Sequence, residues 1–251
     1  MADPFTRKTY LHAATDDVLP VRFSLFKRTR ALQVQSFLKT LAAGADEAAP
    51  ERPLELLVLT PADWKRLLSA PYGWGLARRD VRSVSLLVPA AYPPRLFARW
   101  DAVRLRAAQV GVTAPGGVQA WCDTQLGLEW AHALLLSWWG PGRVPKAWAR
   151  EVSAAYLYQR TLRALRDEQR LAYLEVWARV QQAGARPRVE LEAFVYPRAK
   201  MPLDNLLWTQ SGCWLQATEL GDARGWTLSA AAVRGVLEAQ SQPALTHPEP
   251  L

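Results

Sequence analysis

Leu128-Glu129-Trp130-Ala131-His132, followed by Glu151 in VPKAWAREVSAAYLYQRTL (144–162), is the stretch on which the reading of this chain turns. It lies in QAWCDTQLGLEWAHALLLSWW (119–139), an apolar run that reads as a helix. Glu129 and His132 are three residues apart, which puts them on one face of that helix. Eighteen residues, 133–150, separate His132 from Glu151 on the next helical segment. A lone histidine in an apolar helix is more often a core residue hydrogen-bonded to a neighbour, and Glu151 is the neighbour on offer.

Outward from this centre the chain divides by pattern. LELLVL (54–59) is a short apolar run between Pro53 and Thr60 and reads as a buried strand. Thr60 caps a short helix, with Pro61 at its first position and Asp63 in its first turn. PYGWG (71–75) is turn chemistry, and SVSLLVP (83–89) is a second strand ended by Pro89. Ahead of these, 19–41 reads as a helix, with Leu25, Leu32, Phe37 and Leu41 near helical spacing and AAGADEAAPERP (42–53) as a loop. Beyond residue 94 the pattern is helical. Helices are expected over 96–110, over 119–139 after Gly116–Gly117, over 146–182 after the break GPGRVP (140–145), over 203–220 and over 227–240. The tail SQPALTHPEPL (241–251) should be frayed. Strands first and helices afterwards give an α+β class, a small N-terminal sheet followed by a mostly helical bundle.

Composition bounds what such a chain does. Its 251 residues, half of them hydrophobic, suffice for one large domain or two small ones. No apolar run of about 18 residues predicts a membrane span, and no membrane partner is expected. MADPFTRKTYLHAATDD carries charge where a secretory signal has its apolar stretch, so a cytoplasmic location is expected. Cys122 and Cys213 are too few for a disulfide framework and read as buried small residues. The formal charge of +8 is mainly an excess of arginine, grouped at Arg28/Arg30, Arg78/Arg79/Arg82 and Arg95/Arg99/Arg104/Arg106. Gathered on one face, these would make a nucleic-acid footprint; with no accompanying motif, a solvated basic surface is the simpler reading. The twelve tryptophans sit mostly in apolar helical patterns and read as core.

Glu129, His132 and Glu151 resemble part of the site of gluzincin-type zinc metallopeptidases. In that family, two histidines four apart on one helical face hold the metal, and the glutamate after the first polarises the bound water. A glutamate on a following helix is the third ligand. Glu129 and His132 match the motif's second and fifth positions, and Glu151 matches the later glutamate in spacing and context. LVLTPADWKRLLSAPYGW (57–74) with SVSLLVPAAYP (83–93) is similar to the strand, helix and strand that precede the motif helix in small members. MPLDNLLWTQSGCWLQATEL (201–220) resembles their later helical region.

The resemblance implies a zincin-like domain over 54–240, preceded by a helical segment and loop over 1–53 and followed by a flexible tail over 241–251. It also implies a substrate-cleft strand formed by Ser83, Val84, Ser85, Leu86, Leu87 and Val88, at whose edge an extended peptide would add. One position departs from the family. Leu128 stands where the first histidine belongs, and leucine cannot ligate a metal. Ala155 stands where some members carry the carboxylate that orients that histidine. Rescue is not expected from Cys122, roughly 15 Å along the helix from His132, or from Asp123 on the opposite face. His12 and His247 read as peripheral.

The expected function is therefore a non-catalytic scaffold that binds a peptide or protein partner. Glu129 would be a vestigial general base, and His132 with Glu151 a vestigial, incomplete metal site. No cofactor is expected, zinc only if the site were competent. The alternatives are a metal-dependent hydrolase with an atypical site and an arginine-rich nucleic-acid-binding protein.

Overall fold

The computed structural model describes residues 10–14, 16–45, 50, 52–68, 72–80, 82–113, 122–138, 147–184 and 203–238. The strands are β1 (His12–Ala14), β2 (Val21–Phe23), β3 (Leu54–Leu59), β4 (Leu76–Arg79) and β5 (Val84–Pro89). The helices are α1 (Arg28–Gly44), α2 (Pro61–Leu67), α3 (Pro94–Gln109), α4 (Leu126–Trp138), α5 (Ala147–Ala164), α6 (Glu168–Gln182), α7 (Leu203–Arg224) and α8 (Ala230–Glu238). The strands form one mixed sheet in the order β1-β2-β3-β5-β4. β2, β3 and β5 are parallel, and β1 and β4 run antiparallel at the two edges.

β3 is apolar apart from Glu55 because both faces of its buried stretch, Leu56–Leu59, are covered. Leu56 and Val58 enter the main core beneath the helices, while Leu57 and Leu59 pack with Leu87 against Trp64 of α2 on the other face. Thr60 caps α2 as the sequence suggests: its hydroxyl accepts the Asp63 backbone N–H at 3.4 Å. None of the helices is long and apolar enough to cross a membrane among the described residues.

Three segments differ from the sequence reading. The expected helix over 19–41 is two elements. Val21 and Phe23 point into the core from β2, which pairs with β3, and the helix begins only at Arg28. β2 thereby extends the sheet from before residue 53, and the α1 residues Ala31, Val34, Leu38 and Leu41 share the main core with the later helices. The segment 146–182 is likewise two helices, broken at residues 165–167 by Arg166 in a left-handed conformation (φ 55°). The Asp167 carboxylate then caps α6 by accepting the Arg170 N–H at 3.0 Å. β4 was not expected at all. The expected breaks at 116–117 and 140–145 and the tail from 241 lie outside the described residues.

The helices that carry the motif are brought together by a missing side chain. A Cβ on Gly127 of α4 would stand 2.0 to 2.5 Å from the ring of Tyr158 on α5. The Tyr158 hydroxyl donates to the Thr124 carbonyl at 2.8 Å, just before α4. Its ring meets Trp214 of α7 edge-on, with centroids 5.9 Å apart. Gly127→Ala should therefore overpack this junction and lower stability by about 1–3 kcal/mol. Urea unfolding checks this; an unchanged midpoint would mean that the helices do not approach as closely as described.

Candidate functional site

His132 and Glu151 face each other across the α4–α5 interface, His132 Nε2 standing 3.0 Å from Glu151 Oε2. The side chains are 1% and 2% exposed, so the contact is wholly internal. With the carboxylate ionised, the imidazole Nε2–H donates. The spacing that suggested a shared site thus corresponds to real adjacency. Two donors of one tetrahedral zinc, at bonds of ~2 Å, stand about 3.3 Å apart. The hydrogen bond holds these two donors at nearly that separation, turned towards each other.

Glu129 is engaged elsewhere. It is 1% exposed. Its Oε2 accepts the Ala77 backbone N–H of β4 at 3.3 Å, and its Oε1 accepts from Gln210 Nε2 of α7 at 3.2 Å. Gly75 permits this approach, since a Cβ there would stand 2.8 Å from Leu126 Cδ2 and 3.2 Å from Glu129 Cγ. Ala77, Gly75 and Gln210 were not singled out from sequence. Gln210 carried a faint signal, a polar residue within the apolar pattern of LLWTQSGCWL (206–215); the other two depend on a strand the pattern did not reveal.

Leu128, in the first-histidine position, is buried in the main core, as is Ala155. The other candidate donors considered from sequence are engaged or placed elsewhere. Asp123 is taken by a bidentate contact from Arg30, both bonds at 2.5 Å, and by the Tyr92 hydroxyl at 2.8 Å. Cys122 is a buried free thiol, its pKa pushed up to about 12 by burial and then by the Asp123 charge. His12 sits on the β1 edge, stacked on Phe23 at 5.9 Å. His247 lies outside the described residues. Among those described, no group of three His, Cys, Asp or Glu side chains is arranged to hold a metal ion. The donor set does not fit a catalytic zinc, which needs three protein ligands and a water.

The proposed cleft strand requires correction. Ser83 precedes β5, and Val84, Ser85, Leu86, Leu87 and Val88 lie within it, paired to β3 on one side and β4 on the other. An interior strand has no free backbone edge to offer. The edge nearest the motif helix is β4, a segment to which the sequence pattern assigned no element.

Four of the nine grouped arginines form ion pairs within the protein. Arg30 pairs with Asp123, Arg78 with Asp80, Arg99 with Asp204 and Arg104 with Asp101. Comparison of the chain with protein-family models, curated proteins and solved structures finds no match in any of the three.

Two sets of variants test this geometry. His132→Leu or Glu151→Leu alone removes one partner of a buried pair and should cost about 3–5 kcal/mol, whereas the double variant should cost far less than the sum. Simple additivity in denaturant unfolding would show that the two side chains do not depend on each other. At Glu129, the Gln210 amide can reverse, because its Oε1 has no partner among the described residues. Glu129→Gln should therefore fold within about 1 kcal/mol of the parent, while Glu129→Ala strands the Ala77 N–H and should cost about 1–3 kcal/mol. Equal losses in the two variants would contradict the described hydrogen bonds.

Proposed function

We propose that the chain is a degenerate gluzincin-type scaffold, zincin-like in fold, which does not hydrolyse peptides and serves to bind a peptide or protein partner. The observation that carries this reading is the His132–Glu151 hydrogen bond beside a buried Leu128. Residues matching two of the family's three ligands are adjacent, and the third position is filled by hydrocarbon. The mixed sheet with its antiparallel edge strand next to the motif helix also supports it. A partner in extended conformation would add along β4, the strand whose outer edge is nearest the motif helix. With only two cysteines, both buried and not paired with each other, the chain needs no oxidising compartment, and the cytoplasm is the location this reading favours.

A hydrolase reading has less support. Both oxygens of Glu129 accept protein hydrogen bonds, so the residue that would activate water serves to tie β4 and α7 to α4. For a nucleic-acid reading, four of the nine grouped arginines, Arg30, Arg78, Arg99 and Arg104, are ion-paired within the protein and so less available to phosphates.

Restoring the missing ligand tests the proposal. Leu128→His places an imidazole four residues before His132 on the same helical face, with Glu151 as third ligand. The variant should bind zinc measurably where the parent does not, at a stability cost of about 1–3 kcal/mol for the lost leucine packing. Without a carboxylate at Ala155 its affinity should fall about 10- to 100-fold short of a fully supported site, and Ala155→Asp should recover part of that. Isothermal titration of parent and variants reads the outcome. A folded Leu128→His protein that binds zinc no better than the parent would sink the proposal, as would stoichiometric zinc surviving dialysis of the parent.

A further inference from the structure

The turn from β2 into α1 breaks a local rule. Lys27 N–H donates to the Ser24 carbonyl at 3.0 Å, closing a four-residue turn. Its third residue, Phe26, has a φ of 61°, a conformation glycine ordinarily supplies and L side chains rarely adopt. The base of the turn is firmly held. Ser24 N–H donates to the Val58 carbonyl at 3.0 Å, its hydroxyl donates to Asp63 at 2.5 Å, and it accepts the Thr60 N–H at 2.9 Å. The apex is bare: Leu25 is 56% exposed and Phe26 89%.

The surroundings of the apex are basic and aromatic. Lys27 and Arg28 follow Phe26 directly, with Arg28 exposed. Tyr10, two residues before β1, lies close to Asp63, the acid held by the Ser24 hydroxyl. Tyr10 is itself an exposed aromatic, and the Arg66 guanidinium lies over its ring at 5.5 Å. The nearby acid, Asp63, is bound by Ser24, Thr60 and Arg66. Three exposed apolar side chains thus share one corner of the sheet with three cations.

We propose that this corner, with Phe26 at its tip, docks on an anionic lipid surface. Phenylalanine and leucine would enter the boundary between headgroups and acyl chains, while Lys27, Arg28 and Arg66 meet the negative charge outside it. Charge complementarity selects this occupant over a neutral apolar socket, which would leave Lys27 and Arg28 facing it without counter-charge. A peripheral contact of this kind requires no membrane-spanning segment. The inference stands independently of the gluzincin reading, because no residue of the His132 site takes part.

Co-sedimentation of the full chain with phosphatidylserine–phosphatidylcholine vesicles, against pure phosphatidylcholine vesicles, is the test. The parent should bind the anionic vesicles only, and less as salt rises. Phe26→Gly is the decisive variant: glycine suits the positive φ, so thermal stability should be unchanged or higher while vesicle affinity falls roughly tenfold or more. Arg28→Gln should weaken binding about fivefold. The proposal fails if the parent does not bind anionic vesicles, or if Phe26→Gly binds them as the parent does. It also fails if sedimentation equilibrium shows a self-association that Phe26→Gly abolishes without any vesicle binding, since the tip would then join two copies of the chain.

Discussion

The hydrogen bond between His132 and Glu151 constrains the helical half of the molecule. Neither group reaches water, so each depends on the other and on its remaining polar neighbours for solvation. That dependence fixes the rotation of α4 against α5, and the Gly127–Tyr158 approach fixes their separation. Tyr158 and its neighbour Gln159 then carry the constraint to α7, through Trp214 and its carbonyl. Glu129 carries it the other way, to β4 and the sheet. These polar contacts thereby help set the register of three helices and an edge strand within a largely apolar core.

This arrangement bears on how a metal site decays. A buried pair responds asymmetrically to substitution: loss of one member exposes the other to the full cost of burial, while replacement of both by apolar groups is nearly neutral. A chain that once held zinc and lost its first histidine to leucine would pass into a state in which the remaining two ligands hold each other. From there each single further substitution is unfavourable. If the gluzincin reading holds, the presence of His132 and Glu151 needs no retained chemistry, because the energetics of the pair suffice.

The pair was legible in the sequence because both of its determinants are local: helical spacing within 128–132 and a short connection to 151. β3, the Thr60 cap and β5 were legible for the same reason, as an apolar run, a capping pattern and a terminal proline. What escaped was non-local or unmarked. β4 is LARR, four residues with two arginines, and it becomes a strand only by pairing with β5 and meeting Glu129. With β4 unseen, β5 was taken for the edge. The two other errors merged adjacent elements, β2 with α1 and α5 with α6, and they share a cause. Each boundary is a turn that contains neither glycine nor proline, and each contains one of the two non-glycine residues with positive φ among the described residues, Phe26 and Arg166. Reading boundaries from glycine and proline fails where another residue takes glycine's conformation.

The two exceptions differ in what the fold gains from them. Arg166 leads directly into an α6 cap at Asp167 and accompanies a helix reversal, with its backbone N–H bonded to the Arg163 carbonyl. An arginine at that point is a solvated side chain on a necessary turn. Phe26 also sits in a necessary turn, but its aromatic side chain has almost no contact with the rest of the protein. Glycine would make the same turn with less strain and leave no apolar group in water. Within the folded chain, then, phenylalanine is inferior at this position on both counts. A residue that costs the fold backbone strain and exposes an aromatic ring has its explanation in something outside the fold, and the cations that follow it, Lys27 and Arg28, indicate the sign of the charge on that something.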